Sequence, residues 1–345
     1  MGLAQHLRLL AIIATMGLTG AAALAEERLK VGVIGTVSDA PFFIAEKKGY
    51  FRDEGLSVEF IFFDSAAKMI APLGIGELDV GGGATSAALY NAAGRSVNIR
   101  IVADKARNSA GFGFQALMVR KDLQDKVARF ADLKGLKVAV SAAGNSEAFL
   151  LDQAMRKAGM TIADVETVFL GFPQHPAAFL NKAIDASIST EPTTSLEIQR
   201  GAAFKLAGAD AFYPDFQTAV TFYGGDFIKK KPDAAGKFMK ALMRGMRYYV
   251  DNLVDGHLAG PRSQEIIDIM VAESPLKDPR VYRDIVSHYV DPNGAIDEAS
   301  LRAVWQFFKA QGQINGQITI DDVLDLRFAK AAAAELGPYQ RAGKQ

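Results

Sequence analysis

The sequence predicts an α/β protein made of two doubly wound lobes. Three observations carry that expectation: strands and helices alternate, the alternation occurs twice, and nearly one offset relates the two copies. LKVGV at 29–33 returns as LKVAV at 136–140, 107 residues on, and Phe42 and Phe149 keep the same separation. GELDV at 76–80 has its counterpart in KAIDA at 182–186, which sets Asp79 and Asp185 106 apart. Short Val-rich runs followed by small polar residues suit buried parallel strands that feed helices. Parallel neighbours require right-handed crossovers, so each copy reads strand, helix, strand, helix, strand.

The elements follow in chain order. Arg8 precedes an apolar run at 9–18, small residues follow, and Ala23-Leu24-Ala25 comes just before charge returns at Glu26, Glu27 and Arg28. A basic start, a short apolar middle and an A-x-A box are the parts of a secretory signal, expected at 1–25 and removed on export. The 17 residues of 9–25 fall short of the ~20 apolar residues of a spanning helix. A strand at 29–33 leads into Ser38-Asp39-Ala40-Pro41, Gly55 precedes a second strand at 58–63, and GGGATS at 81–86 follows a third. In the second copy the strand at 136–140 leads into 141–146, and Gly159 precedes a strand near 165–170. Extended runs at 115–119 and 220–223 are the expected crossings between lobes. The division is then 26–115 for the first part of lobe 1, 116–219 for lobe 2, and 220–345 for the return strand and C-terminal helices of lobe 1. Pro232 suits a helix start, and Phe238, Leu242, Met246 and Tyr249 continue it at helical spacing. Ala303, Phe307 and Phe308 mark another helix, and 329–336 a last one.

Composition narrows the function. The 345 residues carry 39 Lys+Arg against 39 Asp+Glu, so there is no basic excess to hold nucleic acid. Hydrophobic residues at 49% and charged residues at 23% describe an ordinary globular chain. With no cysteine, disulfide scaffolds, thiolate metal sites and cysteine nucleophiles all fall away. GVIGT at 32–36 is not a dinucleotide fingerprint, and no phosphate loop, GxSxG elbow or HExxH pair occurs. The four histidines are scattered; His175 reads as a solvated loop residue, and Asp291-Pro292-Asn293-Gly294 is out of register for a calcium loop.

What remains points to binding. Open parallel sheets bind ligands beyond the carboxyl ends of their strands, where helix N-termini present unpaired N–H groups suited to oxyanions. Ser38 and Asp39 stand at such an end, as do Thr85 and Ser86, and in the second lobe Ser141, Asn145 and Ser146. Each of these residue types also caps ordinary helices, so the reading rests on convergence of two lobes on one crevice. Arg107 and Asn108 fall near the expected hinge, Arg107 reading as a surface cation. Phe42, Phe43, Phe112, Phe114 and Phe172 read as core.

Several stretches carry a family resemblance: APFFIAEKKGYFRDEGLSVEF at 40–60, GELDVGGGATSAAL at 76–89, GLKVAVSAAGNSEAFLL at 135–151 and TEPTTSL at 190–196. With them the chain resembles the solute-binding proteins of ABC importers in the nitrate/sulfonate/taurine and thiamine-precursor branch, the SsuA/THI5-like group. The resemblance implies a type 2 periplasmic binding protein: two lobes joined by a two-crossing hinge, closing on a small-molecule solute. It also implies ABC permease membrane subunits as partners, a periplasmic location, a monomer, and no cofactor or metal. It places Phe43 in a pocket-lining stretch and Glu191 in a motif that usually reads Trp-Glu-Pro, Thr190 standing here for the tryptophan. The expected solute is a sulfonate, nitrate or carboxylate. The alternatives are a pyrimidine or thiamine-precursor solute, favoured by Asp39, Glu191 and the phenylalanines, and a same-fold dehydratase with Asp39 or Glu191 as general base. The cysteine-rich motif of the yeast-type relatives is absent.

Overall fold

The computed structural model describes residues 26–341, so the leader expected at 1–25 lies outside the described residues. Ten strands build two sheets: β1 (Glu27–Val33), β2 (Leu56–Phe62), β3 (Val80–Gly83), β4 (Ile99–Asn108), β5 (Gln115–Arg120), β6 (Lys137–Val140), β7 (Glu166–Phe169), β8 (Ala186–Thr190), β9 (Ala203–Gly208) and β10 (Phe216–Gly224). The first sheet has the order β2-β1-β3-β10-β4 and the second β7-β6-β8-β5-β9. The two orders are the same topology.

The sequence offset is visible in the strand register. Val31 pairs with Phe60 and Val80, and Val138, 107 further on, pairs with Thr167 and Ala186. The change from 107 to 106 falls between the second and third strand of the repeat. Asp79 and Asp185 do the same work in each copy. The Lys30 N–H donates to Asp79 Oδ2 at 2.8 Å, and the Lys137 N–H donates to Asp185 Oδ2 at 2.9 Å. The duplicated Asp therefore pins the third strand to the first.

Both sheets are mixed rather than purely parallel. β10 runs antiparallel to β3 and β4, and β5 runs antiparallel to β8 and β9. The geometry requires this. The chain leaves each sheet at the carboxyl end of its outer strand and enters the other at the same edge of the cleft, so the entering strand must run away from it. The runs at 115–119 and 220–223 are these entering strands; the crossings lie just upstream, at 109–114 and 209–215.

The crossings lie side by side. Ser109 Oγ donates to Asp215 Oδ1 at 3.0 Å, and the Gly111 N–H to Asp210 Oδ2 at 3.3 Å. A Cβ on Gly113 would lie 1.9 Å from Asp210 Oδ1, so a larger residue there displaces the carboxylate that the Gly111 N–H bonds. Asn108, buried at the end of β4, donates through Nδ2 to Gln115 Oε1 at 3.0 Å and Thr218 Oγ1 at 2.9 Å, tying both entering strands together.

The C-terminal helices divide between the lobes. Pro232–Asp251 lies along Ala40–Lys47, with Phe238 stacked on Phe51 at 4.8 Å, and Arg327–Leu336 covers it. Glu298–Ala310 instead packs on the helix Ser146–Arg156 of the second lobe, where Phe307 meets Phe149 edge-on at 5.7 Å, and on β10 of the first sheet, whose Gln217 N–H donates to Ser300 Oγ at 2.8 Å. Its apolar face covers both sides of the hinge, because Leu301, Val304 and Phe308 share one buried cluster with residues of both sheets. Among the described residues no helix is long and apolar enough to cross a membrane.

Candidate functional site

The carboxyl ends of both sheets face each other and touch. The Ala87 N–H donates to Gly144 O at 2.8 Å and the Ser146 N–H to Thr85 O at 3.1 Å. On the other flank the Val37 N–H donates to Glu191 O at 3.0 Å. Thr85 and Glu191 are 106 apart, so the same repeat position supplies the acceptor carbonyl on each flank. The third strand-to-helix turn of each lobe clasps the first turn of the other. Between the clasps lies a cavity of about 20 Å³, room for a water-sized group, with walls from both lobes.

In lobe 1 the first turn is organised around Asp39. Its Oδ2 accepts from the N–H groups of Ile34, Gly35 and Thr36 at 3.1, 2.7 and 3.0 Å. Its Oδ1 lies 2.9 Å from Lys105 Nζ, both side chains being buried. Lys105 also donates to Ser38 Oγ at 2.6 Å, and Ser38 Oγ lies 2.8 Å from Thr36 Oγ1. Burial pulls the Lys105 pKa down and the Asp39 charge opposes that. Gly82 makes the space: a Cβ there would sit 2.6 Å from Lys105 Cε.

In lobe 2 the first turn carries a carboxylate in different company. Ser141 Oγ donates to Glu147 Oε2 at 2.7 Å, and Asn145 Nδ2 donates to Ser141 Oγ at 2.6 Å. Burial pushes the Glu147 carboxyl up to about 7, against the pull of the Ser141 hydrogen bond. Two further carboxylates lie deeper. Glu191 accepts from the Ser195 N–H at 3.1 Å and Ser195 Oγ at 3.0 Å, and burial raises it to about 7. Glu197 accepts from Ser189 Oγ at 2.9 Å and is raised well above the ordinary value, again by burial.

Of the nine expected site residues, Ser38 and Asn145 line the cavity. Asp39, Thr85, Ser86, Ser141 and Ser146 stand directly behind it, in the turns just described. Ser86 accepts from the Leu89 N–H at 3.3 Å, as a helix cap does. Phe43 is fully buried, edge-on to Phe60 at 5.0 Å, and Glu191 directs its carboxylate to Ser195. The aromatic walls are Phe114 and Phe172 instead, and Thr190 lines the cavity where the resembled motif has tryptophan. Sequence reasoning passed over Lys105 and Glu147. The available signal for Lys105 was a lysine between Asp104 and Ala106 in the strand-like stretch IVADKARN; for Glu147 it was an acid in the first turn of the helix Ser146–Arg156.

His175 corrects the expectation of a solvated loop residue. It is buried at the start of the helix His175–Leu180, its Nε2–H donates to Leu170 O at 2.8 Å, and burial lowers its pKa to about 4. Arg107 is not a free surface cation, since its Nε lies 3.2 Å from Asp104 Oδ2 and its Nη2 donates to Ala295 O at 3.0 Å.

Two five-stranded mixed sheets, two crossings and a cleft closed by reciprocal turns define the class: a bilobal periplasmic-binding-protein fold. The family model described as NMT1/THI5 like matches residues 37–252, and the chain belongs to that family. A putative binding protein of Brucella abortus (strain 2308) is 28% identical over 201 residues, 58% of this chain and 59% of the relative. The 4-amino-5-hydroxymethyl-2-methylpyrimidine phosphate synthase of Aspergillus parasiticus is 24% identical over 225 residues, 61% of this chain and 62% of that one. The chain thus matches about three fifths of the length of these curated relatives. Among solved structures, the periplasmic nitrate-binding protein NrtA of Synechocystis PCC 6803 superposes with a TM-score of 0.73 at 16% identity, over 92% of this chain and 91% of that one. The ligand-binding component of an ABC-type import system from Staphylococcus aureus, with zinc bound, gives 0.72 at 15% identity, over 89% and 99%. A desulfurization enzyme, DSZB, gives 0.62 at 14% identity, over 90% and 100%, so the fold also carries catalysis.

Proposed function

We propose that this chain is the exported substrate-binding component of an ABC importer, capturing a small solute between its lobes and delivering it, as a monomer, to the permease. The observation that carries the reading is the reciprocal clasp. Backbone hydrogen bonds from both lobes meet around one cavity that is water-sized with the clasps made, so a solute that fills it holds the lobes further apart than they stand here while still touching both. Ligand binding then shifts the population toward the closed form by the contacts that form only in that state. Ser38 and Asn145 are the candidate contacts, backed by Lys105 and Glu147. The secretory leader expected at 1–25 and a periplasmic location belong to this same proposal, as does a division into two lobes. Its expected boundaries at 115/116 and 219/220 move to the crossings at 109–114 and 209–215, because β5 starts at Gln115 and β10 at Phe216, and the helix Glu298–Ala310 bridges both lobes instead of belonging to lobe 1.

A sulfonate, nitrate or carboxylate is the solute that free helix N-termini would favour, and two of those positions are engaged by Asp39 and Ser86 here. Catalysis is the weaker reading. Among the cavity-lining residues Glu147 is the single ionisable side chain, whereas acid–base chemistry calls for a second group to return the proton.

A solute library screened by thermal melting and small-angle scattering tests the proposal. A ligand at 100 times its Kd adds about 2.7 kcal/mol to stability, and a closing ligand also lowers the radius of gyration. Recovery of the bound compound unchanged by mass spectrometry is expected. Conversion of it to a product would replace transport with catalysis.

A further inference from the structure

Phe42 and Phe149 hold the same place in the two copies of the repeat, yet they pack differently. Phe42 is buried within its own lobe, with Phe238 of the helix Pro232–Asp251 at 6.2 Å. Phe149, on the helix Ser146–Arg156 of lobe 2, inserts its ring among three others, none of them from lobe 2. It is edge-on to Tyr213 of the second crossing at 5.1 Å and stacked on Phe216, at the start of β10, at 5.8 Å. The third ring is Phe307 of the bridging helix Glu298–Ala310, edge-on at 5.7 Å. Phe149 is 5% exposed, so the socket encloses it.

The bridging helix is fastened to lobe 1. The Asp297 N–H donates to Gln217 Oε1 at 2.7 Å and the Gln217 N–H to Ser300 Oγ at 2.8 Å, which holds its start on β10. Just past its end Asn91 Nδ2 donates to Gln313 O at 2.8 Å, and Phe308 faces Tyr90 at 6.4 Å, both partners lying on the helix Ala87–Gly94. Toward lobe 2 it presents Phe307 to Phe149, and among the described residues no hydrogen bond joins 297–310 to lobe 2.

An apolar contact is non-directional, so a ring can turn in such a seat without breaking a hydrogen bond. Edge-on and offset-stacked rings still prefer particular separations, which gives the seat a favoured position. Ser146, three residues before Phe149 and about 4.5 Å away along the helix axis, donates its N–H to Thr85 O in the clasp. A swing of lobe 2 about Phe149 is therefore carried by one helix to the clasp.

We infer, on the solute-binding reading above, that Phe149 is the pivot on which lobe 2 swings. It lies outside the cavity wall and acts as a positioning residue, fixing how far apart the lobes stand before a solute arrives.

Pulsed electron double resonance on the protein without ligand tests this. The chain has no cysteine, so Glu59→Cys and Glu166→Cys, at exposed, repeat-related positions of β2 and β7, take one spin label each. Phe149→Leu keeps an apolar side chain but removes the ring, and Phe307→Leu removes one wall of the socket. Each should lengthen or broaden the label-to-label distance by about 2 Å or more. Phe42→Leu, the same change at the repeat-related core position, should lower the melting temperature and leave the distance as it was. If Phe149→Leu does not fold, Tyr213→Leu and Phe307→Leu decide the matter from the socket side. An unchanged distance in the folded variants, or an equal change in Phe42→Leu, overturns the pivot. Neither result touches solute binding, which falls only if the solute library produces no closing ligand.

Discussion

The first turn of each lobe brings an acid to the cleft, and the two acids live in opposite circumstances. Asp39 receives three backbone N–H groups and a buried lysine, whereas Glu147 has the Ser141 hydroxyl, the Asn145 amide and its own backbone N–H around it and, among the described residues, no cation paired to it. The repeat sets Asp39 opposite Ser146, with Glu147 one residue further along. Two copies of one scaffold have therefore placed their acids one step apart, one facing inward to a counter-ion and the other onto the cavity. A satisfied group stabilises the turn that holds it. One without a counter-ion is instead pushed by burial toward its neutral form.

The largest expected effect comes from breaking the satisfied side. Lys105→Met leaves the buried Asp39 carboxylate without its counter-ion, and removing one partner of a buried pair costs about 3–5 kcal/mol. Urea denaturation should show that loss. The double variant Lys105→Met with Asp39→Asn should recover most of it, because the amide oxygen still accepts from the turn. A single variant as stable as wild type would mean that the pair contributes nothing.

Glu147→Gln sharpens the other side and should have the reverse sign. The Glu147 carboxyl is held up at about 7 against an ordinary 4.5. Its raised value contributes stability that is present in full below pH 4.5 and lost as the pH rises through 7. About 2.5 pK units, at 1.36 kcal/mol each, make that loss on the order of 3 kcal/mol. Glu147→Gln should therefore match wild type at pH 4 and exceed it by up to that amount at pH 8. Stability curves that run parallel across that range would refute an unpaired acid at this position.

Gly82→Ala is smaller, about 1–3 kcal/mol by overpacking, since its Cβ would reach 2.6 Å from Lys105 Cε. Combined with Lys105→Met it should cost less than the sum, because the methionine can bend away. Additive losses, measured by the same denaturation, would place the crowding elsewhere.

These contrasts mark what the sequence disclosed. Strand identity and the repeat were legible because Val-rich runs and a fixed offset are one-dimensional signals, and register preserved them down to the Asp79 and Asp185 hydrogen bonds. Strand direction was not: an apolar run such as QALMVR in β5 reads alike whichever way it points. Burial of phenylalanines is legible, but not the sides that face a void: the sequence marks Phe114 and Phe172 as core, whereas they line the cavity and Phe43 lies buried against Phe60. Lys105 escaped notice because its partner lies 66 positions away, and Glu147 because a glutamate in a first helical turn has an ordinary explanation in the helix dipole.

The smallest energetic effect tests the clasp that brings the two lobes together. Ala87 is the first residue of its helix, and Ser86 before it is extended, with φ −146° and ψ 156°. Proline is tolerated at a first helical position, and an extended residue ahead of it is what proline requires. Ala87→Pro therefore spares the helix, costing at most about 1 kcal/mol in a melt. It deletes the N–H that donates to Gly144 O and puts a ring carbon where that hydrogen lay. Val37→Pro does the same to the bond on Glu191 O, and Thr36 is likewise extended, with φ −91° and ψ 165°. Each variant should raise the radius of gyration in scattering without ligand, and weaken any closing ligand by the free energy needed to restore contact. If the two act alike, the duplicated turns share the work of closure. If Ala87→Pro opens the protein and Val37→Pro does not, closure is governed by the flank beside Asn145.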